Sequence, residues 1–386
     1  MDTLIELFDP QALWNVLSPA QFRPGRILYL GSAEMEHRRQ DLLRFFDQLD
    51  YHPELHFFAT DTTDCRAILQ TLTYLHERWP DCAIDVTGGG EIPLLATGIF
   101  CAQEQVPVFY FDRGRARFLN VWGCDGLEGS PCTVALSVEN VVALAGGSVL
   151  GSTHLNHSED PMDFESEIRA VWKLFLAHQR RWSEYMLYFQ QLPRVAVPDG
   201  DGLSWAAPVN VSLGNQAVSA PRGFLQELRN AGVLTELSYH KKQAHFRYKN
   251  DTMRRWLGIS GIWLELFNYV TAVSTKRFDD VKMSVTVDWD GDRRGTSNEL
   301  DLVLTQGIRS FFVSCKLGTP KTPAVEEIAV LTRRFGGPDA RAVLATASDL
   351  SRESPAVKQR AQDMGVTIIQ RENYLDGSVW DIFRSL

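Results

Sequence analysis

The residues with the clearest potential for chemistry are Glu299, Asp301 and Lys316. The two carboxylates stand near the end of one predicted strand, and the lysine stands near the end of the next. Such side chains can place a divalent cation and an ammonium group against the same phosphate. The cation would activate water and neutralise developing charge, and the lysine would orient the water or stabilise the pentavalent oxygens. The stretch therefore predicts a metal-dependent nuclease site.

An ordinary hairpin with charged tips would give the same pattern, because Gly307 can turn the chain between two apolar runs. A further carboxylate favours the nuclease. Glu265 lies in segment 261–270, which is apolar on nearly every face and is therefore predicted to be a buried helix. A carboxylate there is unfavourable unless a cation or a hydrogen-bond donor compensates it. A metal ion shared with Asp301, or an ion pair with Lys316, would do so.

The length of the chain predicts two or three domains, because 386 residues exceed what one core usually holds. We divide it into residues 1–150, 151–250 and 251–386. A hydrophobic content of 44% and a charged content of 23% are typical of a soluble globular protein. No apolar run reaches the length of a membrane span and the first residues lack a basic signal region, so we expect a cytoplasmic location. The six cysteines form no C-x-x-C pair, which argues against a zinc cluster.

Charge is distributed unevenly along the chain. Residues 1–150 carry 10 Lys and Arg against 20 Asp and Glu, whereas residues 251–386 carry 18 of each. A nucleic-acid polymer is therefore expected along the C-terminal part rather than the N-terminal part. Basic pairs in the C-terminal part could contact phosphate or could simply be solvated. They are Arg254-Arg255, Lys276-Arg277, Arg293-Arg294 and Arg333-Arg334.

The N-terminal part alternates strands and helices, which is typical of a parallel, doubly wound sheet. Predicted strands cover 26–32, 55–60, 83–87 and 106–111, and predicted helices cover 34–49, 63–79 and 92–104. Ligands of such sheets bind beyond the carboxyl ends of the strands, where helices begin. Two loops lie there, Gly31-Ser32 and Thr87-Gly88-Gly89-Gly90. Three successive glycines let backbone N–H groups approach an anion, although a tight turn would use them equally.

Several enzyme classes lack their signatures in this chain. The G-x-G-x-x-G fingerprint is absent after the first predicted strand, which disfavours a nicotinamide dehydrogenase, and there is no G-x-x-x-x-G-K-[ST] loop. All nine histidines precede residue 250. A nuclease that uses histidine therefore cannot be built from the C-terminal part alone.

Both ends of the chain resemble one known family. A Rossmann-like domain with Gly31-Ser32 after its first predicted strand, and the run from Asp85 to Gly90 after its third, resembles the CRISPR-associated Rossmann-fold (CARF) sensors. Segment 261–270, Asn298 to Asp301 and Ser314 to Lys316 are similar to the PD-(D/E)xK nuclease domain, of restriction-endonuclease-like α/β fold, that is fused to those sensors. Together they resemble the CARF nuclease effectors of type III CRISPR systems.

The resemblance implies a homodimer whose paired sensor domains bind a cyclic oligoadenylate, most often cyclic tetra-adenylate. Binding would switch on metal-dependent cleavage of single-stranded RNA or DNA, or nicking of duplex DNA. By this analogy the ligand would be lined by Gly31, Ser32, Thr87, Gly88, Gly89 and Gly90. Glu265, Asp301 and the backbone carbonyl of Cys315 would hold Mg²⁺ or Mn²⁺. Glu299 and Lys316 would complete the catalytic set.

One position departs from the family pattern, which places Asp or Glu two residues before the lysine, where this chain has Ser314. A hydroxyl carries no charge to offset a dication. Glu299, on the same strand face as Asp301 by the period of two, could supply the missing charge. Otherwise the site is weakened or inactive.

The remaining segments support a second function. Residues 164–191 are predicted to be one long helix, and residues 193–221 a loop-rich connector. A short helix at 223–232 and a hairpin of 234–239 with 245–248 around Lys241-Lys242 are reminiscent of a winged helix. The alternative is therefore a CARF-controlled DNA-binding regulator with an inactive nuclease domain. After the lysine, the sequence predicts a helix at 322–335, a strand at 341–346, a helix at 354–364 and a strand at 365–369.

Overall fold

The computed structural model describes residues 2–127, 129–152, 160–213, 216–219, 221–289, 297–337 and 339–386. The basic pair Arg293-Arg294 lies outside the described residues. No helix in the described ranges is long and apolar enough to cross a membrane.

A seven-stranded sheet with the strand order β3-β2-β1-β4-β5-β6-β7 forms the N-terminal part. The first five of these strands run parallel, and β6 and β7 are antiparallel to their neighbours. This confirms the predicted doubly wound sheet. Its elements are β1 (Thr3–Leu7), α1 (Leu17–Phe22), β2 (Arg26–Gly31), α2 (Arg39–Gln48), β3 (Glu54–Ala59), α3 (Cys65–Arg78), β4 (Cys82–Asp85), α4 (Glu91–Glu104), β5 (Val108–Asp112), β6 (Arg117–Trp122), β7 (Ser130–Pro131) and α5 (Val138–Leu144).

The sequence analysis predicts four strands in this part and does not include β1, although β1 lies at the centre of the sheet. All five of its residues are buried, and it pairs with β2 on one side and with β4 on the other. Glu6 interrupts the apolar run in the middle of the strand, and the run is short. Its burial depends on the neighbouring strands, which the local sequence does not reveal.

The middle part differs from its prediction in two places. The predicted helix 164–191 is two helices, because residues Gln179–Arg181 form a 3₁₀ turn between them. The predicted connector 193–221 contains three strands, of which β9 joins the sheet β12-β13-β9. The elements that follow α5 in the chain are β8 (Ser148–Ser152), α6 (Glu165–His178), α7 (Trp182–Val195), β9 (Ser204–Pro208), β10 (Asn210–Leu213), β11 (Gln216–Ser219), α8 (Arg222–Asn230), β12 (Leu234–His240), β13 (Gln243–Tyr248) and α9 (Asp251–Leu257).

A six-stranded mixed sheet with the order β18-β17-β16-β15-β14-β8 carries the C-terminal part. Its strands β14, β15 and β16 are antiparallel to one another, whereas β16, β17 and β18 are parallel. The elements are α10 (Ile262–Ser274), β14 (Asp280–Asp288), β15 (Ser297–Gln306), β16 (Arg309–Lys316), α11 (Thr322–Gly336), β17 (Arg341–Thr346), α12 (Leu350–Glu353), α13 (Pro355–Asp363), β18 (Thr367–Ile369), α14 (Arg371–Asp376) and α15 (Val379–Ser385).

Helix α5 connects the two large sheets through one hydrophobic core, which we call the shared core. Side chains from α2, α5, β14, β15 and α11 are buried together in it. Polar contacts reinforce the junction: Val138 N donates to Asp280 Oδ2 at 2.9 Å, and Lys282 pairs with Glu139. Strand β8, at residues 148–152, pairs with β14 and so belongs to the C-terminal sheet.

Candidate active site and ligand cleft

Asp301 lies on β15 at the point where the pairing of β15 with β16 ends. Its Oδ2 accepts a hydrogen bond from Cys315 N at 2.6 Å and one from the Ser314 hydroxyl at 3.3 Å. The Lys316 ammonium lies 3.7 Å from the same oxygen, and its side chain is 40% exposed. The carboxylate is therefore anchored by the end of β16, and the lysine beside it can still reach a ligand in solvent.

Glu265 projects from the first turn of α10 toward the same end of the sheet. Its Oε2 accepts a hydrogen bond from the hydroxyl of Ser284 on β14, at 3.4 Å. Burial, together with the negative charges of Asp301 and Glu299, raises the pKa of Glu265 to about 8. Lys316 opposes this shift. Glu265, Asp301 and Lys316 therefore lie close to one another at this end of the sheet, and their role as catalytic residues stays a prediction.

Glu299 is the most exposed of the three carboxylates and lies two residues before Asp301 on β15, opposite Thr286. Its charge reaches Glu265, because it contributes to the raised pKa of that group. The position is thus compatible with the proposal that Glu299 supplies the charge that Ser314 lacks. Its role as a catalytic residue stays a prediction.

Cys315 belongs to the site through its backbone rather than through its thiol. Its N–H holds Asp301, and its side chain is buried beside Asn268, which hydrogen-bonds Tyr374 at 3.1 Å. Burial and the charge of Asp301 raise the pKa of the thiol well above its usual range. A neutral, buried thiol is a packing group, so a metal ligand from this residue would be its carbonyl oxygen.

The donor set suits a hard divalent cation, although it does not form a closed cage. Within the described ranges, no group of three or more His, Cys, Asp or Glu side chains is arranged to hold a metal ion. Mg²⁺ commonly binds through one or two carboxylates and keeps several waters, which substrate phosphates can replace. Glu265 and Asp301 would supply those carboxylates, and a cation would offset both the burial and the repulsion that raise the pKa of Glu265. The residues therefore fit such an ion.

Three of the six predicted ligand-binding residues, Gly31, Ser32 and Gly90, line one cleft of about 750 Å³. It opens at the carboxyl ends of the parallel strands, where α4 begins with Gly90 as its N-cap. The N-terminal N–H groups of a helix favour an anion at this position. Other cleft residues, which the sequence analysis did not single out, are Phe8, Pro10, Leu30, Glu34, His37, Arg38, Thr62, Thr63, Glu91, Ile92 and Pro93.

The other three predicted residues, Thr87, Gly88 and Gly89, form a tight turn against the end of β1. The Thr87 hydroxyl donates to Asp85 and accepts from Phe111 N at 2.8 Å. Gly89 has φ of +90°, and its N–H donates to the carboxylate of Asp9 at 3.1 Å. A Cβ on Gly88 would lie 2.9 Å from Cβ of Asp9. These residues are therefore engaged within the fold.

Arg38 connects the cleft to the rest of the molecule. It lines the cleft and also lines a second cavity of about 390 Å³ between the N-terminal and C-terminal parts. Its guanidinium donates to the carbonyl of Leu144, the last residue of α5, at 2.6 Å. Arg334 of α11 contacts the same end of α5 by donating to the carbonyl of Ala145. Because α5 packs in the shared core with β14 and β15, Arg38 links the cleft to elements of the C-terminal sheet.

The C-terminal part of the chain is similar to a known family of endonuclease domains. Residues 250–382 match the model of the family described as Card1-like, endonuclease domain. No curated protein sequence matches the chain. Helix α10, strands β14 to β16 and the residues of the candidate active site all lie within the matched range.

Solved structures of three proteins have related folds. Can2 from Sulfobacillus thermosulfidooxidans, in complex with cyclic tetra-adenylate, has a TM-score of 0.68 and 18% identity, over 98% of this chain and 99% of that chain. The protein VC1899 from Vibrio cholerae has a TM-score of 0.74 and 15% identity, over 99% and 98%. A type III CRISPR defence DNA nuclease activated by cyclic oligoadenylate has a TM-score of 0.51 and 16% identity, over 90% of this chain and 45% of that chain.

These likenesses concern the fold, because the identities are low. The chain has the mixed α/β architecture of the CARF nuclease effectors, and its C-terminal part is similar to Card1-like endonuclease domains. The predicted resemblance and fold class are thereby confirmed. The chain spans about half the length of the third protein.

Proposed function

We propose that this chain, which joins a CARF-type sensor fold to a Card1-like endonuclease domain, is a nuclease that a cyclic oligoadenylate activates. The observation that carries the proposal is the meeting of Glu265, Asp301 and Lys316 at one end of the C-terminal sheet, within the range matched by the endonuclease family. Their arrangement matches what phosphodiester hydrolysis requires.

The side chains of this site divide the work of cleavage. Lys316 places a positive charge where the scissile phosphate would gain negative charge, and its partial exposure leaves it free to approach the backbone of a nucleic acid. The hydrogen bond from Cys315 N holds Asp301 in one orientation. Glu265 and Asp301 would hold Mg²⁺ or Mn²⁺, with Glu299 nearby to offset the absence of an acid at Ser314. When bound, such an ion supplies Lewis-acid stabilisation and an activated water.

The cleft of the N-terminal sheet is the proposed site of the activator. Can2, which has this fold, was solved in complex with cyclic tetra-adenylate, and we propose the same molecule as the activator of this chain. Its phosphates would meet the N-terminus of α4 and the side chains of Ser32, Thr62, Thr63 and Arg38. Occupancy would then reach the nuclease through the bond from Arg38 to α5 and through the shared core.

A homodimer is the assembly that we propose for activation. Helix α4 begins at the cleft and exposes apolar side chains along its length, namely Ile92, Leu94, Leu95 and Ile99. Val121 and Trp122 of β6 are also more than half exposed. An apolar surface of this kind beside a cleft favours association with a second copy, which would bring two clefts together around one ring-shaped ligand.

The direct test uses the purified chain with Mn²⁺, cyclic tetra-adenylate and three substrates: single-stranded RNA, single-stranded DNA and supercoiled plasmid. We expect cleavage of at least one substrate that needs both the activator and the metal, and the substrate cut fastest defines the preference. Reactions without activator, with cyclic hexa-adenylate, or with a chelator serve as controls. Failure to cut any of the three in the presence of activator and Mn²⁺ would refute the nuclease proposal.

One feature of the middle part supports the regulator as the second candidate. Helix α8 is followed by the hairpin of β12 and β13, whose turn exposes Lys241 and Lys242. Lys241 has φ of +53°, so the tight turn presents both ammonium groups at its tip. If the second candidate is right, cyclic tetra-adenylate will change the mobility of duplex DNA bound to the protein and no substrate will be cut. Replacing both lysines by glutamine would then abolish the shift.

A further inference from the structure

Ser284 has an unusual backbone for its position. Seven non-glycine residues in the described part of the chain have positive φ, and six of them lie at turns or at the ends of helices. Ser284, with φ of +50°, lies inside strand β14 and is completely buried. A non-glycine residue in the left-handed region is strained, and inside a strand such strain needs a cause.

The strain coincides with a reversal of the two faces of the sheet. Met283 and Leu302 form a pair across β14 and β15, and both pack in the core beneath α10. Two residues further along each strand, Val285 and Leu300 form another pair, and both pack in the shared core. In a regular strand, residues two apart lie on the same face. The alternation therefore reverses between these two pairs in both strands.

Ser284 and Asp301 occupy the position of the reversal, because they stand opposite each other between the two pairs, and no ladder pairing joins them. The reversal places a catalytic candidate at a point where the regular ladder is interrupted. Ser284 also directs its hydroxyl at the second candidate, since it donates to Glu265 Oε2 at 3.4 Å. Glycine would adopt the same backbone without strain, but it has no hydroxyl.

We propose that Ser284 is a positioning residue of the active site, retained in a strained conformation because its hydroxyl orients Glu265. This inference rests on the proposed nuclease function. The left-handed backbone of Ser284 reverses the two faces of β14 opposite Asp301 of β15. The hydroxyl of Ser284 holds the carboxylate of Glu265 at the same place. The residue acts through Glu265 and does not itself contact the substrate.

Three substitutions separate the hydroxyl from the strain. Ser284→Gly relieves the strain and removes the hydroxyl, Ser284→Ala keeps the strain and removes the hydroxyl, and Ser284→Thr keeps the hydroxyl but adds a β-branched side chain where φ is positive. Ser310→Ala is the matched control, because Ser310 is also buried in this sheet and donates to a carbonyl at 3.4 Å, away from the site.

We expect thermal stability and activity to follow opposite orders. Ser284→Gly should have a thermal midpoint about 1–2 °C above that of Ser284→Ala, because only glycine relieves the strain, and Ser284→Thr should have a midpoint below that of the parent. The Gly and Ala variants should lose about 10- to 100-fold in kcat with KM nearly unchanged, as expected when a hydrogen bond to a charged group is removed. Both should also bind Mn²⁺ more weakly in calorimetry without nucleic acid. Ser284→Thr should recover most of kcat and of Mn²⁺ affinity.

The outcomes distinguish this inference from the proposed function. If the unaltered chain cleaves nothing, the nuclease proposal fails, yet the Mn²⁺ affinities and thermal midpoints still test the role of Ser284. If Ser284→Ala and Ser284→Gly keep the Mn²⁺ affinity and the kcat of a cleaving parent, the hydroxyl has no positioning role. A midpoint for Ser284→Gly at or below that of Ser284→Ala would equally overturn the inference, because both variants lack the hydroxyl and the serine backbone would then not be strained.

Discussion

Each of the two large sheets has a pair of neighbouring carboxylates in or beside it, and the surroundings of the two pairs differ. Glu6 and Asp85 stand side by side on β1 and β4, completely buried. Burial raises the pKa of Glu6 well above its usual range and that of Asp85 to about 6. Beside the C-terminal sheet, burial and neighbouring charges raise the pKa of Glu265 on α10 to about 8, while the side chain of Asp301 remains 20% exposed.

The comparison shows that a raised pKa marks burial, and that access decides whether such a group can act. Asp85 accepts hydrogen bonds from the hydroxyls of Ser18 and Thr87, so its partners belong to the fold. Asp301 lies instead beside Lys316, which is partly exposed and can reach a phosphate. We therefore propose that Glu6 and Asp85 have a structural role and that Glu265 and Asp301, beside Lys316, have a catalytic one.

Matched substitutions in the two pairs give the largest expected contrast. Asp301→Asn and Glu265→Gln should each lower the cleavage rate by about 10²- to 10³-fold, the loss found when one group that stabilises transition-state charge is removed. Glu6→Gln makes the same chemical change in the other sheet and should leave the rate within about twofold of the parent. Single-turnover cleavage with saturating activator measures both. An equal loss of cleavage rate in Glu6→Gln and in the Asp301 and Glu265 variants would contradict the assignment of different roles to the two pairs.

A second experiment tests whether the two regions are coupled through Arg38. Its guanidinium lines the ligand cleft and donates to the last carbonyl of α5, so Arg38→Ala should break a contact that both regions share. We expect the maximal cleavage rate at saturating cyclic tetra-adenylate to fall about tenfold, a typical size for a coupling energy. Saturation matters, because weaker ligand binding alone would be overcome by more ligand.

The neighbouring Arg39 supplies the control for this experiment. It pairs with Glu36 and stacks over Phe57 within the N-terminal part, so Arg39→Ala alters a charge of the same type without touching α5. Its maximal rate should remain near that of the parent. A full maximal rate in Arg38→Ala would show that the signal reaches the nuclease by another route.

The third experiment concerns Ser314, which stands where the family pattern has Asp or Glu. If Glu299 supplies the missing charge, Glu299→Gln should lower the cleavage rate about tenfold, the lower end of the range for residues that support metal ligands. Adding Ser314→Asp to that variant should restore most of the rate, because it places a carboxylate beside Asp301. Glu327→Gln, at an exposed position of α11, is the control. Unchanged activity in Glu299→Gln would remove that residue from the site.

The sequence predicted which residues meet at the candidate active site better than which residues line the cleft, because the former are close together in the chain. Glu299, Asp301 and Lys316 lie on two consecutive strands, so a short-range pattern of alternation and turn was enough to bring them together. Glu265 was identifiable as a charge in an apolar helix. The position of Ser284 could not be foreseen, since only the backbone reveals its positive φ.

The ligand cleft depends on contacts between distant segments. Arg38 reaches it from the end of a 3₁₀ helix and Thr62 and Thr63 from the turn that follows β3, and nothing in their local sequence marks them. The glycine loop looked like an anion site, but the carboxylate of Asp9 binds the N–H of Gly89. The break between α6 and α7 was missed for the same reason, because Gln179 is held there by the carbonyl of Ala347 in the C-terminal part.

The smallest expected effect concerns the stability of the buried pair in the N-terminal sheet. A carboxyl whose pKa is raised by folding keeps its proton in the folded state after the unfolded chain has lost it. The free energy of unfolding therefore falls as the pH rises from the ordinary value of 3.8 for Asp85 toward its folded value of about 6. Glu6, whose pKa is also raised by burial, adds to this fall as the pH rises above the ordinary value of its carboxyl.

Glu6→Gln should make this dependence on pH less steep, because glutamine resembles the protonated acid and cannot ionise. In the described part of the chain, Glu6 Oε1 has no hydrogen-bond partner, so the substitution disrupts no bond to that atom. We expect a change of less than about 1 kcal/mol near pH 6 and a relative gain at pH 9, measured by urea unfolding. Glu104→Gln, on the exposed end of α4, should leave the pH dependence unchanged. A parent and a Glu6→Gln variant with the same pH dependence would mean that Glu6 ionises as easily in the folded chain as in the unfolded one.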